Sequence, residues 1–179
     1  MNTTEEALIQ GCIHQDRRYQ KLLYERYCEA MFTVAVRLCN HYEDAEDALQ
    51  EAFLEVFKHI HQFRNESTLG AWIKKIVVRC AIKKTKKSLK YSEYEYTTLP
   101  VTDDDFDTWA EQETDMEYLE KCILSLPEKC RQIFVLAEIE GYAHDEIAQM
   151  MNISTGTSKS QLHYAKQILK QKLQTILKH

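Results

Sequence analysis

"EIAQMMNISTGTSKSQLHYAK", residues 146–166, has helical periodicity on both sides of an interruption at Asn152-Ile153-Ser154. Ile147, Ala148 and Met151 mark an apolar face before the break, and Ser158, Leu162, Ala165 and Leu169 mark a second one after it. Residues three and four apart share a helix face, so each stripe predicts a helix with one buried side. Asn152 tolerates the left-handed conformation a tight turn needs. Ser154 is suited to cap the restart by accepting a backbone N–H. A helix, a tight turn and a second helix form a helix-turn-helix, whose second helix enters the major groove of duplex DNA. The outward residues Lys159, Ser160, His163, Tyr164, Lys166, Gln167 and Lys170 supply cations, hydroxyls and amides, which phosphates and base edges require. A hairpin used only for packing would keep the inner stripe, but it gives no reason to exclude every Asp and Glu from residues 155–179.

The rest of the chain puts that basic helix in context. The 179 residues carry a net charge of −5 and are 44% hydrophobic and 28% charged, an ordinary globular composition. Four Gly and two Pro leave few turn residues for an all-β fold, so the expected class is all-α. No apolar run approaches the roughly 20 residues of a membrane span, and the N-terminus lacks the basic region of a signal peptide. The expected location is therefore cytoplasmic. Cys12, Cys28, Cys39, Cys80, Cys122 and Cys130 are scattered with no C-x-x-C pair, which predicts reduced core thiols and no metal site.

Charge is distributed in blocks. Residues 72–90 contain 8 Lys and Arg and no acid, residues 91–120 contain 11 acids and no base, and residues 155–179 again contain 5 Lys and no acid. One basic block can be a solvated face. Two blocks on predicted helices point to a polyanion such as nucleic acid.

Apolar spacing predicts a short helix through Leu8, Ile9, Cys12 and Ile13, then a long one from about Asp16 to Cys39 with Leu23, Tyr27, Met31, Val34 and Leu38 inward. The next helix buries Ala45, Ala48, Leu49, Ala52, Phe53, Val56, Phe57 and Ile60. Its outer face is a like-charged stripe of Asp44, Asp47, Glu51 and Glu55. Two readings stand: the first two acids complement the helix N-terminus, or the stripe is kept for a basic partner. A third helix begins near Leu69, with Trp72, Ile73, Ile76, Val77, Cys80 and Ala81 inward and Lys74, Lys75, Arg79, Lys83, Lys86 and Lys87 outside. In the loop before it, Phe63, Asn65 and Ser67 could hold an unstacked base, although, taken alone, Phe63 and Trp72 are better read as ordinary core aromatics. Residues 91–116 lose the helical period and read as an acidic linker that shields the basic faces. Its run Asp103-Asp104-Asp105-Phe106-Asp107 lacks the rigid scaffold of a metal site. Periodicity resumes near Glu117. Leu126-Pro127 opens a helix with Cys130, Ile133, Phe134 and Ala137 inward, closed by Gly141.

"LPEKCRQIFVLAEIEGYAHDEIAQMMNISTGTSKSQLHYAKQILKQKL" resembles region four of bacterial RNA polymerase sigma factors of the extracytoplasmic-function group, the region that reads the minus-thirty-five element. "DAEDALQEAFLEVFKHIHQF" resembles the core-polymerase-binding helix of region two, and "FRNESTLGAWIKKIVVRCAIKK" the part that reads the minus-ten element. The resemblance implies two helical domains, residues 1–90 and 117–179, joined by the 91–116 linker. It implies a protein that binds core RNA polymerase, directs it to promoter DNA and helps open the duplex, without catalysis, cofactor or metal. It also allows for an anti-sigma partner.

Carried over position by position, the resemblance puts polymerase binding on Asp44, Asp47, Gln50, Glu51 and Phe53. The melted minus-ten strand falls to Phe63, Asn65, Ser67, Trp72, Lys74, Lys75 and Arg79. The minus-thirty-five duplex falls to Thr157, Lys159, Ser160, His163, Tyr164 and Lys166. The chain departs from the family pattern at Arg79 and Lys83, where Asn and Asp are usual. It departs again at Ser158, Gln161 and Tyr164, where an apolar residue and two basic ones are usual, and at Ala143, where a Ser or Thr cap is usual.

Two other functions fit parts of the sequence. A one-component helix-turn-helix regulator accounts for residues 127–172 and has no use for the first 90. A DNA-free helical adaptor accounts for the amphipathic helices and leaves the acid-free blocks unexplained. An enzyme fits least, since His59 and His61 have no nucleophile or carboxylate partner in register.

Overall fold

The computed structural model describes residues 4–92 and 115–176, with side chains described for 4–86 and 116–174. The expected acidic linker, residues 91–116, lies outside the described residues except at its ends. The chain divides into two compact units, residues 1–87 and 88–179. Every described element is helical: α1 Glu5–Ile13, α2 Arg17–Cys39, α3 Tyr42–His59, a 3-10 turn Ile60–Gln62, α4 Leu69–Ser92, α5 Asp115–Leu124, α6 Glu128–Phe134, a π-helical turn Val135–Ile139, α7 His144–Met151 and α8 Thr155–Ile176.

In the first unit α1, α2 and α3 enclose a core of Leu8, Leu23, Leu38, Val56 and Ile60, joined by Leu69, Ile73 and Val77 from α4. The caps follow the sequence. Thr4 accepts the Ala7 N–H, Asp16 the Arg18 N–H, and Asn40 ends α2 in the left-handed conformation at φ 60. α4 is buried over a wider arc than its predicted stripe, because Val78, Ile82 and Thr85 are also buried while Trp72 and Ile76 are half-buried. Gly70, the second residue of α4, lets the Tyr27 ring approach closely, since a Cβ there would stand 3.1 Å from it.

The second unit packs α6 and α7 on α8. Here the structure corrects the predicted face of α6. Val135 and Leu136 are fully buried, whereas Phe134 and Ala137 are half-buried. The backbone widens at Val135–Ile139, where the Glu140 N–H bonds to the Val135 carbonyl five residues back, and the extra residue advances the inward face. Gly141, at φ +74, closes the turn as predicted. All six cysteines are free thiols; five are buried and Cys28 is half-buried.

Candidate nucleic-acid and polymerase interfaces

The break at 152–154 is built as its residues dictate. Asn152 adopts φ 57, ψ 52, the Ile153 N–H bonds to the Ala148 carbonyl, and Ser154 Oγ accepts the Thr157 N–H at 3.0 Å. Ser158 and Ala165 are fully buried, and Leu162 and Leu169 nearly so. Thr157, Lys159, Ser160, His163, Tyr164 and Lys166 are all exposed on one helix. Their side chains are not equally available, however. Thr157 Oγ1 lies 2.8 Å from the capping Ser154 hydroxyl, Ser160 donates to the Thr157 carbonyl at 3.0 Å, and His163 Nε2 faces Gln167 Nε2 at 3.1 Å. Lys166 is ion-paired with Glu138 of the π-helical turn at 3.0 Å.

The departures from the family pattern have local partners that a single sequence does not reveal. Ser158 hydrogen-bonds His144 Nδ1 at 2.8 Å, tying α7 to α8 in place of an apolar contact. Gln161 accepts from the Cys130 thiol at 2.9 Å. Ala143 cannot cap with its side chain, but its N–H donates to the Glu146 carboxylate at 3.0 Å, which retains half of a capping box. Asp145 accepts from the Thr155 hydroxyl at 3.0 Å and links the starts of the two helices. Arg131, only 3% exposed, has no forecast in the periodicity. Its guanidinium donates to the Leu126 carbonyl at 3.0 Å, since a buried charge must be hydrogen-bonded.

In the first unit the acidic stripe and the basic block meet. Lys84 of α4 contacts Asp47 and lies 3.8 Å from Asp44, and Lys83 contacts Glu51 at 2.6 Å. The Glu51 hydrogen bond and charge push the Lys83 ammonium above its usual range. For Lys84 the Asp47 hydrogen bond does the same, against the opposing effect of burial. Glu55 is engaged by His59 Nε2 at 3.2 Å and Lys58 at 4.0 Å, so His59 has a carboxylate partner one turn back that the sequence reading did not give it.

Gln50 is exposed, but Phe53 is only 3% exposed and packs edge-on against Tyr24 with ring centroids 4.7 Å apart. The Phe53 ring therefore packs in the core, with little of it exposed on this face. Leu54, 70% exposed, is the apolar side chain this face offers, and its break from the inward pattern was the available signal.

The loop before α4 is shaped by Asn65 at φ 56 and by Thr68, whose hydroxyl accepts the Ala71 N–H at 3.2 Å. Phe63 and Trp72 pack with centroids 5.7 Å apart. A cavity of about 690 Å³ brings together Phe63, Ser67, Trp72 and Lys75 with His61, Gln62, Arg64 and Glu66. Asn65 does not line it. Lys74 is half-buried elsewhere, and Arg79 faces a neighbouring groove. Among the described residues no three His, Cys, Asp or Glu side chains gather as a metal site, and no helix is long and apolar enough to cross a membrane.

The class defined by these features is an all-helical protein of two units, one ending in a basic α4 beside a lined loop cavity, the other a helix-turn-helix with an acid-free second helix. Residues 23–89 match sigma-70 region 2, and residues 116–169 match sigma-70 region 4. The chain is 25% identical over 186 residues to the ECF RNA polymerase sigma-E factor of Haemophilus influenzae, covering 97% of each, and 23% identical to that of Escherichia coli, covering 98% and 97%. Two solved structures share the fold. Sigma factor RpoE of Bartonella quintana, in complex with the anti-sigma factor NepR, has a TM-score of 0.54 at 19% identity, over 86% of this chain and 96% of that one. CnrH, in complex with the cytosolic domain of CnrY, has a TM-score of 0.51 at 16% identity, over 94% and 96%. The chain belongs to the sigma-70 family of RNA polymerase sigma factors, in its extracytoplasmic-function group. Its function is promoter recognition and transcription initiation. The family is not an enzyme family.

Proposed function

We propose that the two units divide promoter recognition between them, in the cytoplasm and without catalysis by the chain itself. The first unit docks on core polymerase through Asp44, Asp47, Gln50 and Glu51, with Leu54 in the role expected of Phe53. It holds the melted minus-ten strand along Phe63, Asn65, Ser67, Trp72, Lys74, Lys75 and Arg79. The second unit reads the minus-thirty-five duplex with Thr157, Lys159, Ser160, His163, Tyr164 and Lys166. An anti-sigma partner is a further expectation of this reading.

The observation that carries the proposal is the exposed outer face of α8, acid-free and set by a Ser154 cap on a buried inner stripe. The test is run-off transcription with core polymerase. The expected result is a discrete transcript that depends on this chain and is lost with substitutions in either unit. A regulator acting alone would bind DNA without recruiting polymerase, and an adaptor would yield neither result.

A further inference from the structure

The start of α8 is joined to its neighbours by a row of polar contacts. Thr155 donates its hydroxyl to the Asp145 carboxylate at 3.0 Å, Ser158 Oγ meets His144 Nδ1 at 2.8 Å, and Gln161 accepts from the Cys130 thiol at 2.9 Å. Those three α8 residues are three positions apart, so they follow one side of the helix for about 9 Å. His144 and Asp145 are the first two residues of α7, and Cys130 lies on α6. Ser158 is fully buried, and Thr155 and Gln161 are half-buried. Burial pushes the Cys130 thiol up, so it keeps the proton it donates.

Ser158 and Gln161 stand where the family pattern has an apolar and a basic residue, so two positions that would give packing and charge give directional contacts instead. The difference matters for the orientation of α8. Apolar burial is non-directional and resists a small turn of the helix only weakly. A hydrogen bond is confined to about 2.7–3.2 Å and to near-linear geometry. The outer surface of a helix stands about 5–6 Å from its axis, so a turn of about 10° moves the outward side chains of Thr157, Ser160 and His163 by about 1 Å. That exceeds what a base-edge hydrogen bond tolerates.

We propose that His144, Asp145 and Cys130 are positioning residues: through Ser158, Thr155 and Gln161 they fix the rotation of α8 about its own axis, and with it the bases of the upstream duplex that the helix discriminates. The inference rests on the reading that α8 meets that duplex. Phosphate contacts survive a small rotation, because a lysine is a compact cation on a flexible stem. Base contacts do not, because they require donors and acceptors in register with the base edge. The polar row therefore governs discrimination between sequences and has little effect on overall affinity.

The test uses holoenzyme assembled from the full chain and core polymerase, initiating on duplex promoter templates that differ by single bases in the upstream element. Ser158→Val with His144→Leu exchanges the central contact for an apolar one, while Thr155→Val and Gln161→Met remove the flanking contacts at similar side-chain volume. With the assay held well below the melting temperature, the combined variant should still initiate on the preferred template. Its preference over the single-base variants should fall by about tenfold. Thr155→Val alone, at a half-buried position, should give a partial loss, and Asp145→Asn, which keeps an acceptor oxygen for Thr155, should retain the wild-type preference. An unchanged preference in Thr155→Val and in the combined variant, with or without a lowered melting temperature, makes the row structural only and overturns the proposal. A uniform loss of initiation on all templates overturns it as well. A wild-type holoenzyme with no preference anywhere in the upstream element overturns the reading of α8 together with the proposal.

Discussion

The chain has two cationic helices, α4 and α8, and they keep their charges differently. On α4, Lys83 and Lys84 are tied to Glu51, Asp47 and Asp44 of the neighbouring α3. On α8, Lys159 and Lys170 stand exposed, while Lys166 is ion-paired with Glu138. The acidic and basic blocks of the first unit are therefore partly one surface, in which a face proposed for polymerase and a helix proposed for DNA are cross-linked by charge. In the second unit the recognition helix is held by its apolar underside, and Thr157, Ser160 and His163 on its outer face are engaged by near neighbours in the chain, Ser154, the Thr157 carbonyl and Gln167. Binding polymerase at Asp47 or Glu51 would compete with α4's lysines, whereas binding DNA at α8 costs at most one exposed pair.

The largest expected effect follows from that cross-link. Asp47→Lys with Glu51→Lys removes the acids proposed for polymerase and also sets two new cations against Lys83 and Lys84. Co-purification with core polymerase should be lost and the melting temperature of the first unit should fall. Adding Lys83→Glu and Lys84→Glu should restore the melting temperature but not polymerase capture. Thermal scans and pull-downs on both variants check this. Relief of like-charge repulsion along α3 would by itself leave the fold intact, so a fall in melting temperature reports the α3–α4 pairs.

In the second unit, Ser158→Ala should destabilise by about 1 kcal/mol, since the buried hydroxyl bonded to His144 is removed. Denaturant titration of residues 117–179 within the full chain measures it. An unchanged midpoint would mean that the hydrogen bond contributes nothing to the α7–α8 contact.

Lys159→Ala and Lys166→Ala separate an unpaired cation from a paired one. Loss of a phosphate contact lowers the salt slope of binding by about one unit. Lys159→Ala should show that full effect if Lys159 touches phosphate. Lys166→Ala should show less, because Glu138 already neutralises it, and Glu138→Gln should strengthen binding at low salt. Equal slopes for the two alanine variants would erase the distinction between them. The smallest effect concerns thiols: Cys28, half-buried, should be modified first by a thiol reagent at neutral pH. Cys12 and Cys80, which burial pushes up to about 11, should react last.

How far the sequence reached can be argued from individual residues. Leu162, Ala165 and Leu169 were readable because helical spacing and burial are one fact seen twice. Asn152 and Ser154 were readable because their turn chemistry is local. Phe134 and Ala137 were misplaced because a π-helical turn changes the period, and nothing in "FVLAEIE" marks the added residue. Phe53 was predicted inward by its spacing, and its packing against Tyr24 agrees. The α3–α4 ion pairs join residues 32 to 40 positions apart, and Arg131 is satisfied by a carbonyl five residues back; neither leaves a periodic trace. The Ser67 and Trp72 cavity was anticipated in its residues, but the groove at Arg79 required the two helices to be placed side by side.

The central claim is that one chain contacts two separate promoter elements through its two units. Photocrosslinkers placed at positions 67 and 160 of the full chain, in holoenzyme on promoter DNA, test it most directly. The account predicts that position 67 crosslinks to one strand within the melted segment and position 160 to the upstream duplex, both only when core polymerase is present. Crosslinks from both positions to the same element, or strong crosslinking at 160 with none at 67 whether or not polymerase is added, would contradict it.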